Sequence, residues 1–161
     1  MATKEIEQEA RFLAPFQPLK TPKRIGDFRL IKSIPQKSET FYFDTADEEL
    51  SRKKSTLRIR KFENDWRITL KAQEADPLKS SETSQPITKE DLSLILQGET
   101  KIQDLFDDPL LLPANPLSLV GHLITYRRAI RYRKGNEEVE VAFDECWDDL
   151  PIGPFHVAEI E

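Results

Sequence analysis

The chain is poor in the residues that build covalent or soft-metal sites. Cys146 is its only cysteine, and only two of its 161 residues are histidine. That excludes an intramolecular disulfide and a cysteine-based zinc cluster, and it points to a reducing compartment. No stretch approaches the roughly 18 consecutive apolar residues of a membrane-spanning helix, and the N-terminal "MATKEIEQEA" is polar and acidic. A cytoplasmic protein without a membrane partner is expected. The net charge is -5, and no run of Lys and Arg forms a tail or stripe, which argues against a nucleic-acid polymer as partner. A Gly-rich phosphate loop and internal repeats are also missing.

Hydrophobic residues make up 38% of the chain and charged residues 33%, the balance of a highly charged globular protein. Its length fits one domain over residues 1–161. Several short segments alternate with a period of two. In "STLRIRKF" Leu57 and Ile59 oppose Arg58 and Arg60, and in "DWRITLKA" Trp66, Ile68 and Leu70 oppose Arg67, Thr69 and Lys71. "EEVEVAFDE" and the terminal "HVAEIE" behave alike, with Asp144, Glu159 and Glu161 on their polar sides. A strand over 41–43 is expected to end in a turn at Asp44 and Thr45, and a strand over 124–133 to pass through a Gly135-Asn136 turn. "TPKRIGDFRLIKSI" and "ITKEDLSLILQG" show helical spacing, the second with Thr88 as N-cap and Gly98 just past its end. "EADPLKSSETSQP" reads as a loop.

The polar sides are unusual because like charges sit two apart. In "KEIEQEARF" Glu5, Glu7 and Glu9 alternate, and residues two apart on a strand share one face about 7 Å apart. A solvated sheet face would ordinarily mix hydroxyls, amides and both signs of charge. Repulsion between Glu7 and Glu9 in a concave site is relieved by a hard divalent cation, Mg²⁺ or Mn²⁺. Repulsion between Arg58 and Arg60 is relieved by a polyanion, most simply a chain of phosphates. A divalent ion and a polyphosphate belong together in phosphoryl transfer.

The ordered set of Glu7-x-Glu9-x-Arg11-Phe12, "YFDT" at 42–45, "LRIR" at 57–60, "TLK" at 69–71, "TYRRA" at 125–129, "AFD" at 142–144 and the final "EIE" resembles the CYTH domains. These are the triphosphate tunnel metalloenzymes, among them thiamine triphosphatases, inorganic triphosphatases and class IV adenylate cyclases. The resemblance spans the whole chain. It implies an α+β fold: a closed eight-stranded antiparallel barrel with a charged interior and helices on its apolar outside. It also implies that Glu7, Glu9, Asp144, Glu159 and Glu161 hold the metal, and that Arg58, Arg60, Lys71, Arg127 and Arg11 bind the triphosphate. Glu7, Glu9 and Arg11 would be the catalytic motif, and Glu82 would match an acidic position on a following strand.

Three departures stand out. Arg11 occupies the family's Lys position; it cannot lose its proton, so it would bind phosphate and leave water activation to the metal. Tyr126 stands before Arg127 where some members have Lys. Members usually continue past the final "EIE" into a helical segment with another basic residue, which leaves a C-terminal truncation open. The expected activity is metal-dependent hydrolysis of tripolyphosphate or an organic triphosphate by a monomer or homodimer. A class IV-type cyclase and a non-catalytic polyphosphate- or nucleotide-binding module are the alternatives. His122, His156, Trp66, Trp147 and Cys146 read as structural residues.

Overall fold

The computed structural model of the chain describes residues 3–8, 10–13, 20–76, 79–148 and 154–160. In chain order its elements are strands β1 (Thr3–Gln8), β2 (Ala10–Leu13), β3 (Arg24–Ile25) and β4 (Phe28–Thr45), helix α1 (Glu49–Arg52), strands β5 (Ser55–Phe62), β6 (Asp65–Gln73) and β7 (Lys79–Ile87), helices α2 (Lys89–Leu96) and α3 (Ile102–Leu105), and strands β8 (Leu117–Lys134), β9 (Glu137–Asp148) and β10 (Phe155–Ile160). No helix among the described residues is long and apolar enough to cross a membrane.

The residues fall into two compact units, and the long strands β4 and β8 contribute to both. The first unit takes residues up to Glu7 together with Glu39–His122. Within it β1, β7, β6, β5 and β4 follow one another by hydrogen bonding. The register places Leu57 opposite Leu70 and Ile59 opposite Ile68, so one sheet face is wholly aliphatic in its middle. That face packs on Phe43, Leu50 of α1, Leu92 of α2, Ile102 of α3, Phe106 and Leu112. Burying each such side chain stabilises the fold by about 1.5–3 kcal/mol, so the helices fix which face is covered and leave the charged rows on the other.

Two side chains set the helix starts. Thr88 Oγ1 accepts a hydrogen bond from the Asp91 amide at 3.0 Å while Asp91 Oδ2 accepts one from the Thr88 amide at 2.8 Å, a capping box that begins α2. Gly98, just past the helix, takes φ +74°, as its expected stop requires. Asp44, at the end of β4, accepts from the amides of Thr45, Leu50 and Ser51 and from Ser51 Oγ, tying the strand to α1. Burial alone would raise the Asp44 pKa, but these hydrogen bonds, the Ser51 hydroxyl first, outweigh it and hold the carboxyl below its ordinary value.

The second unit takes Gln8–Ser38 and Leu123–Glu161. Here β8 and β9 form a hairpin through Gly135 (φ +58°) and Asn136, β10 lies along β9, and β2 along β10. Tyr132, fully buried, donates to the Pro22 carbonyl at 3.1 Å.

The structure corrects three expectations. The sheet is not a closed eight-stranded barrel: ten strands pair in an open order from β1 through β7, β6, β5, β4, β8, β9 and β10 to β2, with β3 on β4. The N-terminal segment is divided, β1 pairing with β7 in the first unit and β2 with β10 in the second. Periodicity reports which face a residue is on, not whether first and last strands meet. The segment 21–34 is not helical but a β3–β4 hairpin about Gly26 (φ +55°) and Asp27, its half-buried Phe28, Leu30 and Ile34 alternating along a strand. The segment read as a loop contains β7, paired in full register with β6.

Candidate functional site

In the first unit the charged rows of β5 and β6 coincide. Thr56, Lys71 and Glu82 are cross-strand partners, as are Arg58, Thr69 and Ser84, and Arg60 and Arg67. Partners directly opposite share a face, so Arg58, Arg60, Lys71 and Glu82 lie on the side away from the aliphatic cluster. Glu82 Oε1 accepts from Arg58 Nη2 at 3.0 Å and lies 3.7 Å from Lys71 Nζ, all three side chains being 14% exposed. Arg60 Nε donates to Thr40 Oγ1 at 3.1 Å, and Thr40 is fully buried. The buried Nε of Arg58 has no hydrogen-bond partner among the described residues. A buried donor without an acceptor is costly, and a guanidinium can be relieved by a phosphate oxygen.

In the second unit Arg127 on β8 faces Asp144 on β9, its Cα partner, and Glu159 on β10. Arg127 donates from Nε to Asp144 Oδ1 at 2.8 Å and from Nη2 to Asp144 Oδ2 at 2.9 Å, a forked pair, and Nη2 also donates to Glu159 Oε2. Both carboxylates are buried, Asp144 to 7% and Glu159 to 3% exposure. Burial would lower the Arg127 pKa; the hydrogen bond and charge of Asp144, then those of Glu159, overcome this and raise it. The guanidinium is therefore permanently charged.

The structure thus brings Arg58, Lys71 and Glu82 together in one unit and Arg127, Asp144 and Glu159 together in the other. Sequence reasoning held Glu82 only as a loose match and missed Thr40, whose sole signal was its place just before the "FYFDT" strand end. Arg11 pairs by its backbone with Glu159. Glu9 and Glu161 lie outside the described residues, as do the side chains of Glu7 and Arg11. Tyr126 projects to the opposite face from Arg127 by strand alternation, and Lys37 Nζ sits 5.3 Å from its ring centroid. His122 stacks on Phe41 at 4.4 Å between ring centroids and bonds Glu39 at 3.1 Å.

As for a metal, Asp144 and Glu159 offer hard oxygen donors with one net negative charge after Arg127 is counted, which fits a divalent cation of the Mg²⁺ or Mn²⁺ type. Among the described residues no group of three or more His, Cys, Asp or Glu side chains converges.

A family model described as the CYTH domain matches residues 5–161. No curated protein matches the chain. Among solved structures, a candidate adenylate cyclase of Bacillus halodurans is 24% identical with a TM-score of 0.62, over 98% of this chain and 81% of that one. A candidate adenylyl cyclase of Hippeastrum, described as having a dominant triphosphatase activity, is 17% identical with a TM-score of 0.56, over 96% of this chain and 78% of that one. A Pyrococcus horikoshii protein is 16% identical with a TM-score of 0.54, over 99% of this chain and 78% of that one. These likenesses are of fold.

Proposed function

The chain belongs to the CYTH domain family, and from that premise we propose that it is a metal-dependent hydrolase of a triphosphate, either inorganic tripolyphosphate or an organic triphosphate such as thiamine triphosphate. The observation that supports this most is the Arg58–Lys71–Glu82 group, in which two cations share one carboxylate and a buried Arg58 Nε has no acceptor among the described residues. In this reading Arg58, Arg60 and Lys71 grip phosphate oxygens, the guanidiniums by forked hydrogen bonds and Lys71 as a point charge. Holding the chain of phosphates in one pose removes orientational freedom, and fixed positive charge favours the transition state where negative charge spreads over the transferred group. Arg127 and Arg11 join as further phosphate contacts, and neither releases a proton at working pH.

Glu7, Glu9, Asp144, Glu159 and Glu161 would hold Mg²⁺ or Mn²⁺. When bound, such an ion neutralises phosphate charge and makes its water more acidic, which suits a chain whose Glu-x-Glu motif ends in Arg11. For Asp144 and Glu159 this means sharing their oxygens between Arg127 and a cation; in turn Arg127 would keep the two carboxylates aligned for it.

Release of inorganic phosphate from tripolyphosphate, thiamine triphosphate and ATP, each with Mg²⁺ or Mn²⁺, tests the proposal. Phosphate from a triphosphate is the expected result. Cyclic AMP with pyrophosphate from ATP would replace the hydrolase by a cyclase, and tight binding without turnover would replace it by a binding module. Glu7→Gln with Glu9→Gln should abolish metal-dependent turnover and keep the fold; unchanged turnover would remove both residues from the site.

A further inference from the structure

The charged face of the first unit does not end at Arg60. Arg67 is the Cα partner of Arg60, so two guanidiniums stem from directly opposite positions, and by alternation along β6 Arg67 shares the face of Thr69 and Lys71. Like charges directly opposite one another destabilise a strand pair, and an anion between them relieves the repulsion. Among the described residues two carboxylates stem from this face of β5, β6 and β7. Glu82 is held by Arg58 and Lys71, and Asp65, at the exposed start of β6, forms no ion pair with Arg67.

Ser84 sets the direction of the Arg67 side chain. Its hydroxyl accepts from Arg67 Nε at 3.1 Å and shares a hydrogen bond with the hydroxyl of buried Thr69 at 3.0 Å. Ser84 and Thr69 are cross-strand partners in the row of Arg58, whereas the partner of Arg67 on β7 is Pro86, which has no side-chain acceptor. The guanidinium is therefore drawn from its own row toward that of Arg58. The bond to Ser84 uses Nε, which leaves the two terminal nitrogens for a ligand. Rows two residues apart on a strand lie about 7 Å from one another, so by backbone position the cations run for about 14 Å from Lys71 past Arg58 to Arg60 and Arg67. That is longer than the phosphate chain of a triphosphate.

We propose that Arg67 determines specificity for chain length: its terminal nitrogens hold a fourth phosphate when Lys71, Arg58 and Arg60 hold the first three, so that linear tetrapolyphosphate binds more tightly than tripolyphosphate. The proposal rests on the phosphate-binding role of Lys71, Arg58 and Arg60 and extends it by one phosphate.

Calorimetric titration with tripolyphosphate and with tetrapolyphosphate, at low ionic strength and without divalent metal, tests this on the parent chain, Arg67→Gln and Lys61→Gln. The parent should bind the longer chain about fivefold more tightly, the worth of one more charge-assisted contact at an exposed position. Arg67→Gln should bring that preference below about twofold with unchanged circular dichroism. Lys61→Gln removes an equal charge from the opposite face of the same two strands, where Lys61 is the partner of Trp66. It should keep the preference, because a contact and not net charge sets it. The proposal is overturned by equal affinity for the two chains in the parent, by a preference that survives Arg67→Gln, or by one that is lost with Lys61→Gln as well. Each of these leaves the role of Arg58, Arg60 and Lys71 standing; failure of tripolyphosphate to bind at all would overturn that role and the chain-length proposal with it.

Discussion

The two charged groups invert one another. In the first unit two cations, Arg58 and Lys71, share the carboxylate of Glu82; in the second, two carboxylates, Asp144 and Glu159, share the cation of Arg127. Both are built alike, on one face of three successive antiparallel strands: Lys71 is opposite Glu82 with Arg58 two residues along β5 from the partner of Lys71, and Arg127 is opposite Asp144 with Glu159 two residues along β10 from the partner of Asp144. Counting only these six side chains, the first group carries one more positive than negative charge and the second one more negative than positive, a contrast that suits the first to an anion and the second to a cation. A face meant only for water would tend to balance its pairs, as Arg131–Glu140 and Arg133–Glu138 do farther along β8 and β9.

The largest effect is expected from breaking the second group. Arg127→Met leaves two carboxylates buried without their cation, and should lower the unfolding free energy by about 3–5 kcal/mol in chemical denaturation. Added Mn²⁺ should recover part of it; if the variant is as stable as the parent, the three side chains are not coupled. Next comes the first group. Arg58→Ala should cut phosphate release from tripolyphosphate by about 10²–10³-fold, the size typical of losing one preorganised contact to transition-state charge. A change below threefold would take Arg58 off the substrate.

Glu82→Gln should sharpen the contrast in the opposite direction. It leaves Arg58 and Lys71 less compensated, costing about 1–3 kcal/mol of stability without ligand, while calorimetry should show tripolyphosphate binding tighter than in the parent. Weaker binding would mean that Glu82 chiefly orients the two cations. The smallest effect lies outside both groups, at Asp44. Its carboxyl is held below the ordinary value of 3.8, so its stabilisation is fully present above that pH and is lost as pH falls through the lower folded-state value. Asp44→Asn should cost about 1 kcal/mol near neutrality and flatten the acid slope of stability; an unchanged slope would assign that slope to other carboxylates.

Much of this was legible in the sequence, and the rest was not, for physical reasons. Alternation at Leu57 and Ile59 against Arg58 and Arg60 identified β5 and its faces because one face is aliphatic. The Thr88 cap and the Gly98 stop of α2 were legible because capping is local chemistry. β7 was hidden because both its faces are polar: Glu82 meets Arg58 and Lys71 on one, while on the other Gln85 donates to the Leu105 carbonyl and accepts from the Asp107 amide. Such a strand has no hydrophobic period to detect. The β3–β4 hairpin was masked by isoleucines whose spacing also fits a helix. The capture of Arg127 by Asp144 and Glu159, 17 and 32 residues away, depends on strand pairing that a residue pattern does not encode. The same holds for the open strand order, against the closed barrel expected.

The most direct test of the account is phosphate release from tripolyphosphate by the parent protein, followed with Mn²⁺ and again with a chelator in excess. The account predicts steady release with Mn²⁺ that stops on chelation and returns when the ion is restored. Release that continues undiminished under chelation, or its absence with every triphosphate and divalent ion tried, would contradict it.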